Sequence, residues 1–221
     1  HITGDEILLP RTKKEIAVVI DTSGSMGNAV NGAGATASNP SRMSIAKEAA
    51  KRFIENFNNT YTKVVVLPYS QYVKSVSSFV DMKNSGSLNT LRSFINGLSA
   101  NGSTNTGDAF RMAYNTLKND GDPDAKKYIV MLTDGEPHGY TYTGTKVYYM
   151  GEGMVNGSSI RYDDNDNQTP NTFVKGLQYS RNWAAYIKNQ NPNLSDKKYN
   201  VFMIGFAENS SVLDQNLDNI G

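Results

Sequence analysis

The chain has 221 residues, 22 of them basic and 21 acidic, for a formal charge of +1. That balance removes the electrostatic case for nucleic acid or for an anionic membrane surface as partner. There is no cysteine, which excludes disulfide frameworks, thiolate zinc sites and cysteine nucleophiles. No apolar run approaches the roughly 20 residues needed to span a bilayer, so no membrane insertion of this stretch is expected. The length suits one large domain with a real core.

Residues 1–14 carry Pro10 and mixed charge, and read as an irregular lead-in. HITGDE at the start lacks the basic and apolar regions of a signal peptide, so the chain is expected to be a mature piece of something longer. Ile16 to Ile20 are nearly all β-branched and predict a strand buried on both faces. Asp21 follows, and Asp21, Ser23 and Ser25 alternate with Thr22 and Gly24, where glycine lets the backbone turn. Residues 28–39, rich in Gly, Ala and Asn, read as a flexible surface excursion. Asn39 and Pro40 then start an amphipathic helix. Ile45, Ala49, Phe53 and Phe57 form its apolar stripe, with Ala46, Ala50 and Ile54 beside it.

Residues 63–69 predict a second strand, and residues 72–80 a short antiparallel edge strand. Ser87 is placed to cap a helix carrying Leu88, Leu91, Phe94 and Ile95 that stops near Gly97. NGSTNTGDAF, residues 101–110, opens a helix with Ala109, Ala113 and Leu117 on its core face. Residues 128–132 are a third buried strand, followed by Thr133, Asp134 and Gly135. Residues 137–171 are longer than an ordinary connection, with a hairpin expected around 146–150. A helix resumes at Thr172 with Phe173, Leu177, Trp183, Ala184 and Ile187 inward. Residues 199–206 are a fourth buried strand, and a helix from Ser211 is truncated by the end of the sequence. Strands alternating with helices imply an α/β fold with a doubly wound, mostly parallel central sheet flanked by helices.

In such a sheet, ligands bind beyond the carboxyl ends of the strands. Asp21 and Asp134 each bring a carboxylate to that edge, and Thr104 and Thr106 bring hydroxyls at a helix start. A site of two carboxylates and several hydroxyls, with no His or Cys, suits Mg²⁺, Mn²⁺ or Ca²⁺ rather than zinc or copper. The two acids only neutralise a divalent ion, so an open coordination position favours an outside carboxylate.

DTSGS at 21–25, Thr104 within GSTNTG and Asp134 within LTDGEP together resemble the metal-ion-dependent adhesion site of von Willebrand factor A-type domains. The resemblance spans residues 15–221 and implies a Rossmann-like A-type domain that is not an enzyme. It further implies that Ser23, Ser25 and Thr104 ligate the cation, Mg²⁺ foremost, while Asp21 and Asp134 bind it directly or through water. Gly24 and Thr106 stand behind that set, Thr106 either capping the helix or backing up the shell. The resemblance also implies that a protein partner presenting Asp or Glu completes the coordination. RMSIAKEAAKRFI and VMLTDGEP look most like domains of bacterial surface and pilus-tip adhesins. That implies a cell-surface location, attached through regions outside this stretch, and a host matrix or cell-surface protein as partner. The chain departs from the pattern in its excursions at 28–39 and 137–171, both leaving loops that border the site, and in GST where GGT is more usual.

Other readings stand beside this one. A scaffold module would use the ion for contacts within a complex. VVIDTSG also looks superficially like the catalytic strand of subtilisin-like or aspartic proteases. A subtilisin-like enzyme needs a His near its nucleophile, whereas the histidines here are His1 and His138, neither in such a setting. Metal-assisted hydrolysis with His138 as base is the third reading. DDNDN at 163–167 lacks the Gly and the terminal Glu of an EF-hand loop and reads as a solvated acidic turn. Tyr140, Tyr142, Tyr148 and Tyr149 are either a contact surface or the small core of the second excursion.

Overall fold

A computed structural model of the chain describes residues 13–135, 137–143, 147–148, 160–163, 174–191 and 198–206. In chain order the elements are β1 (Lys14–Asp21), α1 (Arg42–Glu55), β2 (Thr62–Tyr69), β3 (Val80–Asp81), α2 (Ser87–Asn96), α3 (Thr106–Asn119) and β4 (Lys126–Thr133). They continue with β5 (Tyr140–Thr143), β6 (Val147–Tyr148), β7 (Ile160–Asp163), α4 (Val174–Lys188) and β8 (Tyr199–Gly205). The main sheet runs β3-β2-β1-β4-β8, parallel throughout except for β3.

Alternation along the central strands explains the layers. Ile16, Val18 and Ile20 face one side with Val64, Val66, Val130 and Leu132, under Ala46, Ala50 and Ile54 of α1 and Leu91 and Ile95 of α2. Ala17, Val19, Val65, Leu67, Ile129 and Met131 face the other, under α3 and the Trp183, Ala184 and Ile187 side of α4. Period-2 side chains on a sheet covered on both faces give the continuous apolar runs seen in the sequence. The chain winds outward from β1 to β2 and then returns to the other flank of β1 as β4, so the switch point lies between β1 and β4.

Several boundaries differ from expectation. The first helix begins at Arg42 with Ser41 as cap, its Oγ accepting the Ser44 N–H at 3.1 Å. Proline disfavours helical geometry in the residue before it, so Asn39 stays outside. The buried stripe of α1 is Met43, Ala46, Ala50 and Ile54, one position along from the expected one, because the small alanines let the helix lie close to the sheet. The edge strand shrinks to Val80–Asp81. Pro68 has no N–H to give, and the Val66 N–H goes to Ser77 Oγ at 2.8 Å instead of a backbone carbonyl, so the ladder is interrupted. Ser87 does not cap α2; its hydroxyl donates to the Asp81 carbonyl at 2.7 Å, and Gly86 in left-handed geometry precedes the helix. In β8 Phe202 is 53% and Ile204 44% exposed, so this strand is covered on one face among the described residues.

The excursion at 28–39 is a closed loop, bridged at Asn28–Gly34 and Ala29–Ser41, with Ala29 buried. The second excursion contributes a three-stranded antiparallel sheet in the order β6-β5-β7; β6 (Val147–Tyr148) pairs antiparallel with β5, and the remainder of the hairpin expected around 146–150 lies outside the described residues. Tyr140 on β5 belongs to the main core and Tyr142 packs against it, while the side chains of Tyr148 and Tyr149 lie outside the described residues. Also outside are Thr172, Phe173, the residues from 207 on and most of DDNDN, of which Asp163 ends β7. Two glycines set the fit of this region. A Cβ on Gly107 of α3 would collide with the Tyr179 ring, and one on Gly176 of α4 with the Pro137 backbone.

At the amino end of β1, Glu15 is buried and paired with Lys127 of β4, Nζ to Oε2 at 2.6 Å. Lys127 also donates to the Asp122 carbonyl at 2.9 Å, and the Asp122 N–H donates to Glu15 Oε1 at 2.7 Å. Removing one partner strands the other charge in the interior. Glu15→Gln or Lys127→Met alone should each cost about 3–5 kcal/mol in urea unfolding. The double variant should cost clearly less than the sum; additive losses would show that the pair does not act as one unit.

Candidate metal centre

Asp21 is the last residue of β1, and β1 and β4 run parallel with Ile20 opposite Leu132. Asp21 is therefore level with Thr133, and Asp134 emerges one residue further along the same edge. The Asp21 carboxylate is fully buried. Its Oδ1 accepts the Ser23 N–H at 2.8 Å, and its Oδ2 accepts the Thr133 hydroxyl at 2.8 Å and the Tyr69 hydroxyl at 3.4 Å. Three adjacent strands thus fix one acid. All its hydrogen-bond partners are neutral.

The loop after Asp21 is turned by Thr22, whose N–H and hydroxyl both bond the Tyr69 carbonyl at 2.7 and 2.8 Å. A short 3-10 turn over Gly24–Gly27 follows, with Met26 packed in the core. Ser23 and Ser25 come together, Oγ to Oγ at 3.0 Å. Gly24 serves close approach rather than unusual torsion: its N–H donates to the Gly102 carbonyl at 2.8 Å, and a Cβ there would lie 3.4 Å from that oxygen. The Asn101 N–H returns a bond to the Thr22 carbonyl at 2.7 Å. This strap ties the loop carrying the serines to the loop carrying Thr104. Gly102 makes the turn at φ +91°, a left-handed geometry in which any side chain would be strained.

Thr104 is buried, and its carbonyl accepts the Gly139 N–H at 2.8 Å. The cap of α3 is Asn105, whose Oδ1 accepts the Asp108 N–H at 3.1 Å and whose Nδ2 donates to Thr141 Oγ1 at 2.9 Å. Thr106 therefore does not cap. Its hydroxyl lies 3.4 Å from the Tyr69 hydroxyl, which also bonds Asp21. Phe110 is a packing residue, fully buried. His138 lies half-buried in the loop before β5.

Asp134 is buried as well, and here a cation is present: Arg42 Nη1 lies 2.9 Å from Oδ2, the two side chains 14% and 4% exposed. Arg42 Nη2 also donates to the Val30 carbonyl at 3.3 Å. Sequence reasoning missed Arg42, Tyr69 and Thr133. Arg42 did carry a signal, since a cation in the first turn of a helix opposes the helix dipole and needs an acid elsewhere to hold it.

Burial raises the Asp21 carboxyl to about 6, with the neighbouring Asp134 charge adding to the rise and the bonds from Ser23 and Thr133 opposing it. Burial and the Asp21 charge likewise hold the Tyr69 hydroxyl well above its ordinary value, so it acts as a donor. Among the described residues no three His, Cys, Asp or Glu side chains gather to hold a metal. A cation at this edge would have to draw on hydroxyls beside the two acids. The donor set fits a hard cation, and Asp21, buried and raised with neutral partners, is an acid that a cation would relieve.

No curated protein matches the sequence. Among solved structures, the PilB minor pilin from Streptococcus sanguinis superposes with a TM-score of 0.75 at 22% identity, over 95% of this chain and 55% of that one. The pilus adhesin SpaC from Lactobacillus rhamnosus GG gives 0.65 at 17% identity, over 96% and 28%. The type V pili tip protein Mfa5 from Porphyromonas gingivalis gives 0.66 at 14%, over 95% and 45%. The chain thus spans little more than half of the first of these and less of the others, and at such identities the likeness is one of fold. The family profile described as von Willebrand factor type A domain matches residues 16–136, more than half of the sequence and inclusive of both strand-end acids. The chain belongs to the von Willebrand factor type A domain family.

Proposed function

We propose that residues 15–221 form one A-type domain that binds a divalent cation and, through it, an acidic side chain of a protein partner. Asp21, Ser23, Ser25, Thr104 and Asp134 hold the ion, the serines and threonine giving neutral oxygens and the acids binding directly or through water. Mg²⁺ is the first choice, with Mn²⁺ or Ca²⁺ as alternatives. The observation that carries this reading is the Asp21 carboxylate, wholly buried at a ligand-binding sheet edge with neutral hydrogen-bond partners. Such a charge is costly unless compensated. A bound cation supplies the compensation and leaves a coordination position for a partner's carboxylate. Similarity of fold to pilus proteins supports adhesion or assembly at a bacterial cell surface as the setting.

Calorimetric titration with Mg²⁺ should show binding to the wild-type chain and at least about a tenfold loss in Asp21→Ala, roughly 1.4 kcal/mol; equal affinities would sink the metal reading. In EDTA, Asp21→Asn should melt higher than wild type, by roughly 2–4 °C per kcal/mol of relieved penalty. Mg²⁺ should then raise the melting temperature of wild type only. A metal-free variant that melts lower would mean that the acid is held for packing and not for an ion. A pilus or matrix protein that still binds the domain in EDTA would favour a scaffold role over cation-mediated adhesion.

A further inference from the structure

Arg42 alters the charge count of this site. Two acids alone would neutralise a dication, but Asp134 already has a guanidinium on its Oδ2 at 2.9 Å. That guanidinium is not a loose surface group. Its side chain is 14% exposed, Nη2 is held by the Val30 carbonyl at 3.3 Å, and the Arg42 N–H is bonded to the Asn28 carbonyl at 2.8 Å. Its Nε is buried with no hydrogen-bond partner. Two main-chain carbonyls of the 28–39 excursion's first turn thus fix where the positive charge sits. With Asp21 and Asp134 negative and Arg42 positive, the protein offers a dication a net charge of −1. The loaded site keeps one uncompensated positive charge.

We propose that Arg42 is a specificity-determining residue of the cation site: by sharing Asp134 it weakens the hold on the dication and makes the loaded site demand an anionic group from the partner. The proposal rests on the cation reading above. It also gives the first excursion a role, since residues 28–30 set the guanidinium in place. A neutral hydrogen-bonding group on the partner would satisfy coordination but not charge, so carboxylates are selected over amides and hydroxyls. The general reason is that like charges in a buried site interact strongly, and an opposite charge introduced there is favoured to the same degree.

The test uses Mn²⁺ as ion and acetate as partner surrogate, with acetamide as the uncharged control. Water-proton relaxation of the Mn²⁺-loaded chain reports both Mn²⁺ affinity and displacement of metal-bound water. Arg42→Gln should bind Mn²⁺ about fivefold or more tighter, and acetate about fivefold or more weaker, with acetamide unchanged. Arg42→Lys keeps the charge and should stay near wild type in both, and it guards against a Gln variant that folds poorly. The opposed shifts are diagnostic, because a merely structural strap would weaken both affinities when cut. If Arg42→Gln binds Mn²⁺ no tighter than wild type, or acetate equally well, the proposal is overturned while the cation reading stands. A wild-type chain that binds no Mn²⁺ overturns both.

Discussion

The burial of Asp21 is the constraint on which the site depends. Strand β1 carries an acid at each end, Glu15 and Asp21, both buried and both beside β4. At Glu15 the neighbouring strand supplies Lys127, and the ion pair is closed by the Asp122 backbone. At Asp21 the same neighbour supplies only the Thr133 hydroxyl. One end of the strand pair is electrically complete; the other is hydrogen-bonded yet short of positive charge. Local hydrogen bonds can orient a buried carboxylate without neutralising it, and that is the difference between the two ends of this one strand.

That constraint reaches outward through backbone bonds more than through side chains. Tyr69 lies between Asp21, Thr106 and Thr133, and its carbonyl turns the loop at Thr22. The strap between residues 22–24 and 101–102 fixes the serine loop against the loop of Thr104. From there Gly139 bonds Thr104, and Asn105 bonds Thr141, so β5 is fastened to the start of α3. The second excursion is therefore an extension of the site's own framework, anchored in the main core by Tyr140. The close approach of α3 and α4 at Gly107 and Tyr179 holds that framework against the sheet.

Much of this was legible from the chain because it rests on local pattern. Apolar runs at 16–20, 63–69 and 128–132 predicted the central strands, and Asp21, Ser23 and Ser25 lie within five residues of each other, so their convergence needs only one turn. Asp134 was readable because it repeats the same position after a neighbouring strand. What escaped were pairings across long separations: Arg42 meets Asp134 at a distance of 92 residues in sequence, and Thr133 meets Asp21 at 112. The errors in element ends have the same origin. Ser87 satisfied a capping rule but found a better acceptor in Asp81, and residues 72–80 alternated like a strand but faced a proline and a competing serine hydroxyl. On β8, Phe202 and Ile204 are exposed among the described residues, so an apolar run does not by itself say how many faces are covered.

The topology explains why the two acids, one residue apart along the edge, have different company. At the switch point the chain leaves β1 for α1 on one face of the sheet, whereas α3 arrives from the other. The first turn of α1 therefore brings Arg42 to Asp134 from one side, and the start of α3, on the other side, brings Thr106 to the Tyr69 hydroxyl that bonds Asp21. The two acids have different company because neighbouring connections diverge there. The asymmetry is built into the winding of the sheet. It is also why the charge at the site depends on Arg42, a residue outside the DTSGS, Thr104 and Asp134 pattern.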